Sequence, residues 1–200
     1  MSEALRMKLN ETENNLFRLA KPYLIVMNND SHTQDVLDLA FRLISKEGGE
    51  RDIIIPAAIL HDVGWSEVPE EMRLEARTPK RDIRLARMHE RASVKIAKKI
   101  LAEAVNDSLQ VTEILEIIDG HDTREEALSL NDKIVKDADK LSRYSEIFWD
   151  IIRWAGINPK ILYRGLESKT EEWFHLPSSR EIAHEKLLQR RQEIIEGRSK

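Results

Sequence analysis

Apolar residues return at three- and four-residue steps along most of the chain, the period of helices that each bury one face. Over residues 2–24 the stripe is Leu5, Leu9, Leu16 and Leu19, which predicts a packing helix with Pro22 at its end or at a kink. The polar cluster at 28–31 predicts a turn and an N-cap, after which Val36, Leu37, Ala40, Phe41 and Ile44 line a helix whose first turn holds His32. Gly48 and Gly49 close it, and Asp52 is placed to cap the next. Residues 53–65, IIIPAAILHDVGW, break the amphipathic pattern: the run is apolar on every side and therefore predicts a buried helix. Pro56 falls at or just past its first turn, and Gly64 stops it beyond His61 and Asp62.

Residues 67–79 carry two prolines and many charges and predict a connection with at most one short helix, either an ordinary surface loop or a lid. Helical spacing resumes over 80–104 (Ile83, Ala86, Ala92, Ile96, Ile100, Leu101) and over 109–118 (Leu109, Val111, Ile114, Leu115, Ile118). The longest helix is predicted at 131–156, with Ile134, Val135, Ala138, Leu141, Ile147, Phe148, Ile151 and Ile152 facing the core. Beyond Asn158 and Pro159, two or three shorter helices pack Trp173, Phe174, Ile182, Leu187 and Leu188; Ser178 or Ser179 caps the last, which frays from Arg190. The fold class this predicts is all-α, a single-domain bundle over residues 1–200.

Composition narrows the partners. A formal charge of −4 argues against general nucleic-acid binding, and the absence of cysteine excludes disulfides and thiolate ligands, leaving only nitrogen and oxygen donors for a metal. The longest apolar run, 53–60, is too short to span a bilayer, and the first residues are too charged for a signal peptide, so no membrane partner and a cytoplasmic location are expected.

The chemistry starts from His61 and Asp62. Burying an imidazole and a carboxylate at the end of an oily helix costs free energy unless something pairs with them, and a metal ion is one efficient partner. Two adjacent residues cannot fill a coordination sphere, but His32, His89, His121 and Asp139 each begin or punctuate an amphipathic segment and could reach the same cavity. A second reading for 77–98 attaches to Arg77, Arg81, Arg84, Arg87, Arg91, Lys95 and Lys98: a solvated helix face, or a stripe that receives a phosphate-bearing ligand near His89.

An early His, then His-Asp at the end of an apolar helix, then a late Asp in the setting Ala138-Asp139-Lys140-Leu141 resembles the HD-domain superfamily of metal-dependent phosphohydrolases, over about residues 30–145. The resemblance implies an HD-type bundle with residues 158–200 as C-terminal packing helices. It implies a divalent metal (Mn, Fe, Co, Ni, Zn or Mg) held by His32, His61, Asp62 and Asp139. Asp137 lies about 200° from Asp139 around a helix, so the two cannot both face one metal; Asp137 is then solvated, paired with a cation, or behind a ligand. The catalytic set implied is His61, Asp62 and His121. His89 and His121 bind a second metal or the substrate phosphate, and Arg91 and Lys140 supply positive charge to the substrate. Some family members carry two adjacent His where this chain has His121-Asp122; here Asp122 is expected to orient the His121 ring through its other nitrogen. The reaction implied is hydrolysis of a phosphomonoester or phosphodiester of a nucleotide-like small molecule by metal-activated water. The alternatives are a non-catalytic regulatory HD module that binds metal or nucleotide, and a metal-free helical interaction protein. His175 and His184 lie outside the resemblance and receive no role.

Overall fold

A computed structural model of the chain describes residues 3–76, 82–104, 108–154, 156 and 158–195. The helices are α1 (Glu3–Lys8), α2 (Glu11–Leu24), α3 (Asn29–Glu47), α4 (Arg51–Leu60), α5 (Glu70–Ala76), α6 (Ile83–Ala104), α7 (Ser108–Ile118), α8 (Leu130–Ser142), α9 (Glu146–Trp154), α10 (Pro159–Trp173) and α11 (Pro177–Ile195), with a 3-10 turn at Val63–Glu67. Among the described residues there is no strand, as the all-α expectation requires. Nor is any helix among them long and apolar enough to cross a membrane.

Helix α4 is the centre. Every residue from Ile53 to Leu60 is buried, and α2, α3, α7 and α8 pack around it. Full burial of each large aliphatic side chain there contributes about 1.5–3 kcal/mol relative to exposure. The wrapped helices show the period-3.6 stripe the sequence predicts: Leu16, Val36, Leu37, Ala40, Ile114, Ile118, Ile134, Val135, Ala138 and Leu141 all lie in one core.

Several expectations give way to local chemistry. The helix predicted over 2–24 breaks before Asn10, which accepts a hydrogen bond from the Glu13 amide at 2.8 Å while its own amide donates to the Glu13 carboxylate at 2.7 Å. That reciprocal capping box starts α2 afresh, and Pro22 sits inside α2, two residues before its end. Asp52 does not cap α4. It lies within the first turn, the N-cap position is Glu50, and the Glu50 amide donates to Asn131 Oδ1 at 2.8 Å. The helix predicted over 131–156 is two, because the chain turns at 142–145 and Ser145 Oγ accepts the Phe148 amide to start α9. Among the described residues the longest helix is α6, of 22 residues. Helices α10 and α11, of 15 and 19 residues, are not short, and neither Ser178 nor Ser179 is the cap of α11. A carboxylate from another helix does that work: Glu47 accepts from the Ser178 amide at 3.3 Å, while Asp137 accepts from the His175 and Leu176 amides just ahead of α11 at 3.0 and 2.9 Å. Two residues expected in the core, Ile83 and Leu188, are 58% and 59% exposed. The side chains of Leu109, Ile151 and Ile152 and the end beyond 195 lie outside the described residues, as do 77–79 of the predicted connection.

Gly64 has a different role from the helix stop expected of it. Helix α4 has already ended at Leu60, and a Cβ on Gly64 would stand 2.1 Å from the His89 carbonyl oxygen and 2.3 Å from the Ser93 amide nitrogen. Glycine lets the 3-10 turn lie directly on α6, where the Gly64 amide donates to Ser93 Oγ at 2.8 Å. Gly64→Ala is therefore expected to destabilise the fold by about 2–3 kcal/mol, read from the midpoint of chemical unfolding. An unshifted midpoint would mean that α6 can retreat without cost.

Candidate metal centre

The helix ends deliver the donors. His61 is the residue on which α4 terminates, and its Nδ1–H donates back to the Ala58 carbonyl at 2.9 Å, one of the carbonyls a helix end leaves without a partner. His121 repeats the arrangement three residues beyond the last turn of α7, donating to the Ile118 carbonyl at 2.9 Å. His89, on α6, contacts the Leu85 carbonyl at 3.4 Å, and His32, on α3, has Ser142 Oγ 3.3 Å from its Nδ1. A carbonyl can only accept, so each Nδ1 of the three buried rings carries a proton and each Nε2 turns inward, a donor to Asp62 while its ring is cationic and a lone pair once the ring is neutral.

Those inward nitrogens form two pairs around one carboxylate. His32 Nε2 and His61 Nε2 are 3.1 Å apart, and lie 3.5 and 3.6 Å from Asp62 Oδ2. Asp139 Oδ1 completes this group at 3.2 Å from His32 and 3.9 Å from His61. His89 Nε2 and His121 Nε2 are 3.2 Å apart, and they face the other oxygen, Asp62 Oδ1, at 3.4 and 3.5 Å. Ligand atoms of His32, His61 and Asp139, and again of His61, Asp62 and His121, fall within 4.8 Å of one another. Separations of this size are close to the ~3.4 Å edge of a tetrahedron with ~2.0–2.1 Å bonds, and the donors are all nitrogen and carboxylate oxygen, so the residues fit a divalent cation.

The electrostatics are those of a site that needs a positive charge. Burial would raise the Asp139 pKa, but the hydrogen bond and charge of His32, with Arg143 and His61, outweigh it and hold the carboxyl far below its ordinary range. Asp62 is held well below its ordinary value against burial by the charge of His61 and by hydrogen bonds from His121 and His89. Burial pulls His61 down; His121 is pushed up to about 9 because Asp62 overcomes the same burial. The cluster opens on one side: the His32 side chain is 26% exposed and those of Asp62 and Asp139 12%, against 2% or less for His61, His89 and His121.

The segment carrying His121 has no helix to hold it. Gly120, at φ +152°, begins a loop whose polar backbone is satisfied by two buried charges. On one side the Glu90 carboxylate accepts from the Asp122 and Thr123 amides at 2.9 and 2.8 Å and from Thr123 Oγ1 at 2.7 Å, with Arg87 as its counter-ion. On the other, Lys136 Nζ donates to the carbonyls of Gly120, His121 and Arg124 at 2.5, 3.2 and 2.7 Å. The His121 Nδ1 is oriented by the Ile118 carbonyl rather than by Asp122, because the loop turns Nδ1 back onto the end of α7; the charge of Asp122 also raises the His121 pKa.

His32, His61, Asp62, His89, His121 and Asp139 thus come together. Arg91 and Lys140 do not join them. Arg91 is exposed on α6 beside Ile83, Arg84, Arg87 and Met88, and Lys140 Nζ donates to the Trp173 carbonyl at 2.8 Å, at the end of α10. Much of the basic stripe is paired: Arg84 with Asp82, Arg87 with Glu90 and Asp119, and Lys95 with Glu67, while Arg77 and Arg81 lie outside the described residues. Asp137 is buried and serves α11 as described. Glu90, Lys136 and Trp65 also build the site, although no motif in the sequence marks them as candidates. Only Trp65 left a trace, as the last residue of the apolar motif, since a buried charge reads in sequence like a solvated one.

The HD-domain family model matches residues 29–144. A solved structure described as that of a predicted HD superfamily hydrolase from an uncultured Thermotogales bacterium is 20% identical, superposes with a TM-score of 0.65, and is matched over 98% of this chain and 99% of its own. No curated protein matches the chain in sequence.

Proposed function

The chain belongs to the HD-domain family, and from that premise we propose that it is a metal-dependent phosphohydrolase acting on a phosphomonoester or phosphodiester of a nucleotide-like small molecule. The observation that carries this reading is the pairing of four imidazoles about the two oxygens of Asp62. His32, His61, Asp62 and Asp139 would hold one cation; His89 and His121, with the other oxygen of Asp62, would hold a second or bind the substrate phosphate. The donor set suits Mn, Fe, Co, Ni or Zn, with Mg also open. A divalent cation supplies Lewis acidity, lowering the pKa of water and neutralising charge on a phosphoryl oxygen.

The rest is done by the chain. Carbonyl contacts at Nδ1 fix the angle of the His61 and His121 rings, so that once neutral they present their Nε2 lone pairs to the centre without turning. Asp62 ties the two pairs into one unit, so that groups on opposite sides of a phosphate act at a fixed separation. The buried rings close the floor against water, and substrate enters from the side of His32, Asp62 and Asp139. Arg91 and Lys140 have no part in this arrangement.

The test is metal analysis of protein purified without a nickel column, followed by turnover of a generic phosphomonoester and phosphodiester with added Mn²⁺. Bound metal and chelator-sensitive turnover are expected. Metal without turnover of either would move the protein to the class of regulatory binding modules, and no metal at all would remove the reading. In the same assay His121→Ala should retain the first cation and lose a factor of about 10²–10³ in rate, the scale of one lost electrostatic stabiliser. Loss of all metal would instead place His121 among the ligands of the first cation.

A further inference from the structure

We infer that Trp65 is a positioning residue for the His89–His121 half of the centre, setting the affinity of a second cation; the inference rests on the function proposed above. The Trp65 indole lies flat on the His89 imidazole, with ring centroids 4.3 Å apart and planes 10° from parallel. Its Nε1–H donates to Asp62 Oδ1 at 3.2 Å, the same oxygen that faces His89 and His121. One rigid side chain therefore touches two of the three donors that meet there.

A difference among the rings explains why the stack is needed. His61 and His121 are each anchored through Nδ1 to a carbonyl at 2.9 Å, but the corresponding contact of His89 is 3.4 Å. A contact that long constrains a ring weakly, and the indole face supplies the missing restraint. The indole N–H occupies one lone pair of Asp62 Oδ1 and leaves the second free, so the carboxylate is oriented without being blocked. Phenylalanine could stack but could not donate. Trp65 can lie here only because Gly64 lets its turn rest on α6. His32, His61 and Asp139, which complete the first subsite, have no ring or hydrogen-bond contact with Trp65 among the described residues.

The experiment is a Mn²⁺ titration of metal-stripped full-length protein, comparing wild type, Trp65→Phe and Trp65→Ala, with bound Mn²⁺ measured by equilibrium dialysis and indole emission recorded in parallel. Wild type should bind two equivalents. Trp65→Phe should keep the first at unchanged affinity and bind the second about tenfold more weakly, and Trp65→Ala should approach a hundredfold, the range typical of groups that orient a ligand. The part of the emission that Trp65→Phe removes should change with the second equivalent. Equal second affinities in wild type and Trp65→Phe, or a Trp65 emission change complete at the first equivalent, would overturn the assignment. Should Trp65→Ala fail to fold, Trp65→Phe alone decides it. A wild type that binds one Mn²⁺ and still hydrolyses phosphoesters would overturn the role of Trp65 and leave the proposed function standing, whereas one that binds none would overturn both.

Discussion

Asp62→Ala is expected to lose both cations and about four orders of magnitude of turnover or more, while the protein stays folded. Each Asp62 oxygen faces one pair of imidazoles, so this one side chain serves both halves. Metal assistance is worth several kcal/mol in charge stabilisation, and each ~1.4 kcal/mol is tenfold in rate. The fold should survive, because the buried rings remain bonded to the Ala58 and Ile118 carbonyls and, with the carboxylate gone, have less reason to hold a proton. Metal content, rate and circular dichroism on one preparation decide the matter. A wild-type rate would remove the proposed centre altogether.

Lys136→Met should be the most damaging substitution away from the donors, at about 3–5 kcal/mol of stability. The side chain is 1% exposed, and burial pulls its pKa down to about 8. Its ammonium is the shared donor for three carbonyls of the loop that presents His121, and methionine matches its length while donating nothing. Glu90 would then be left holding the N–H side of a loop with no restraint on its carbonyl side. Unfolding midpoints and hydrogen exchange at 121–124 measure the two consequences, and an unchanged midpoint with unchanged protection would show that water replaces the ammonium without penalty.

What could be read from the chain beforehand follows a physical line. The apolar run of α4 and the His-Asp that ends it were legible because burial on every side leaves an unmistakable composition, and a paired imidazole and carboxylate at such an end call for a partner. Asp139 and Asp137, about 200° apart around α8, do face different neighbours: Asp139 turns to His32, and Asp137 to the amides just ahead of α11. The breaks at Asn10 and at 142–145 were not legible from periodicity, since the helices on both sides bury the same face and the stripe runs on through the break. Asn10 and Glu13 did carry a capping signature, but it competed with a continuous pattern. Gly64 looked like a helix stop because the close approach that requires it comes from α6, far along the chain. Glu90 and Lys136 were invisible for the same reason, because their partners are backbone atoms of a loop whose path no local pattern predicts.

Helix α8 gathers three of these duties within little more than one turn. Lys136 faces the loop, Asp137 the two amides that lead into α11, and Asp139 the imidazoles of His32 and His61. Each residue added or removed in a helix rotates everything after it by about 100°. A one-residue insertion or deletion early in α8 would thus withdraw a ligand, a loop anchor and the acceptor for the lead into α11 in a single event, although it would alter no residue that does any of these jobs. Length variation that a surface connection would absorb is closed to this helix. Its reading frame, as much as its composition, is what the centre depends on.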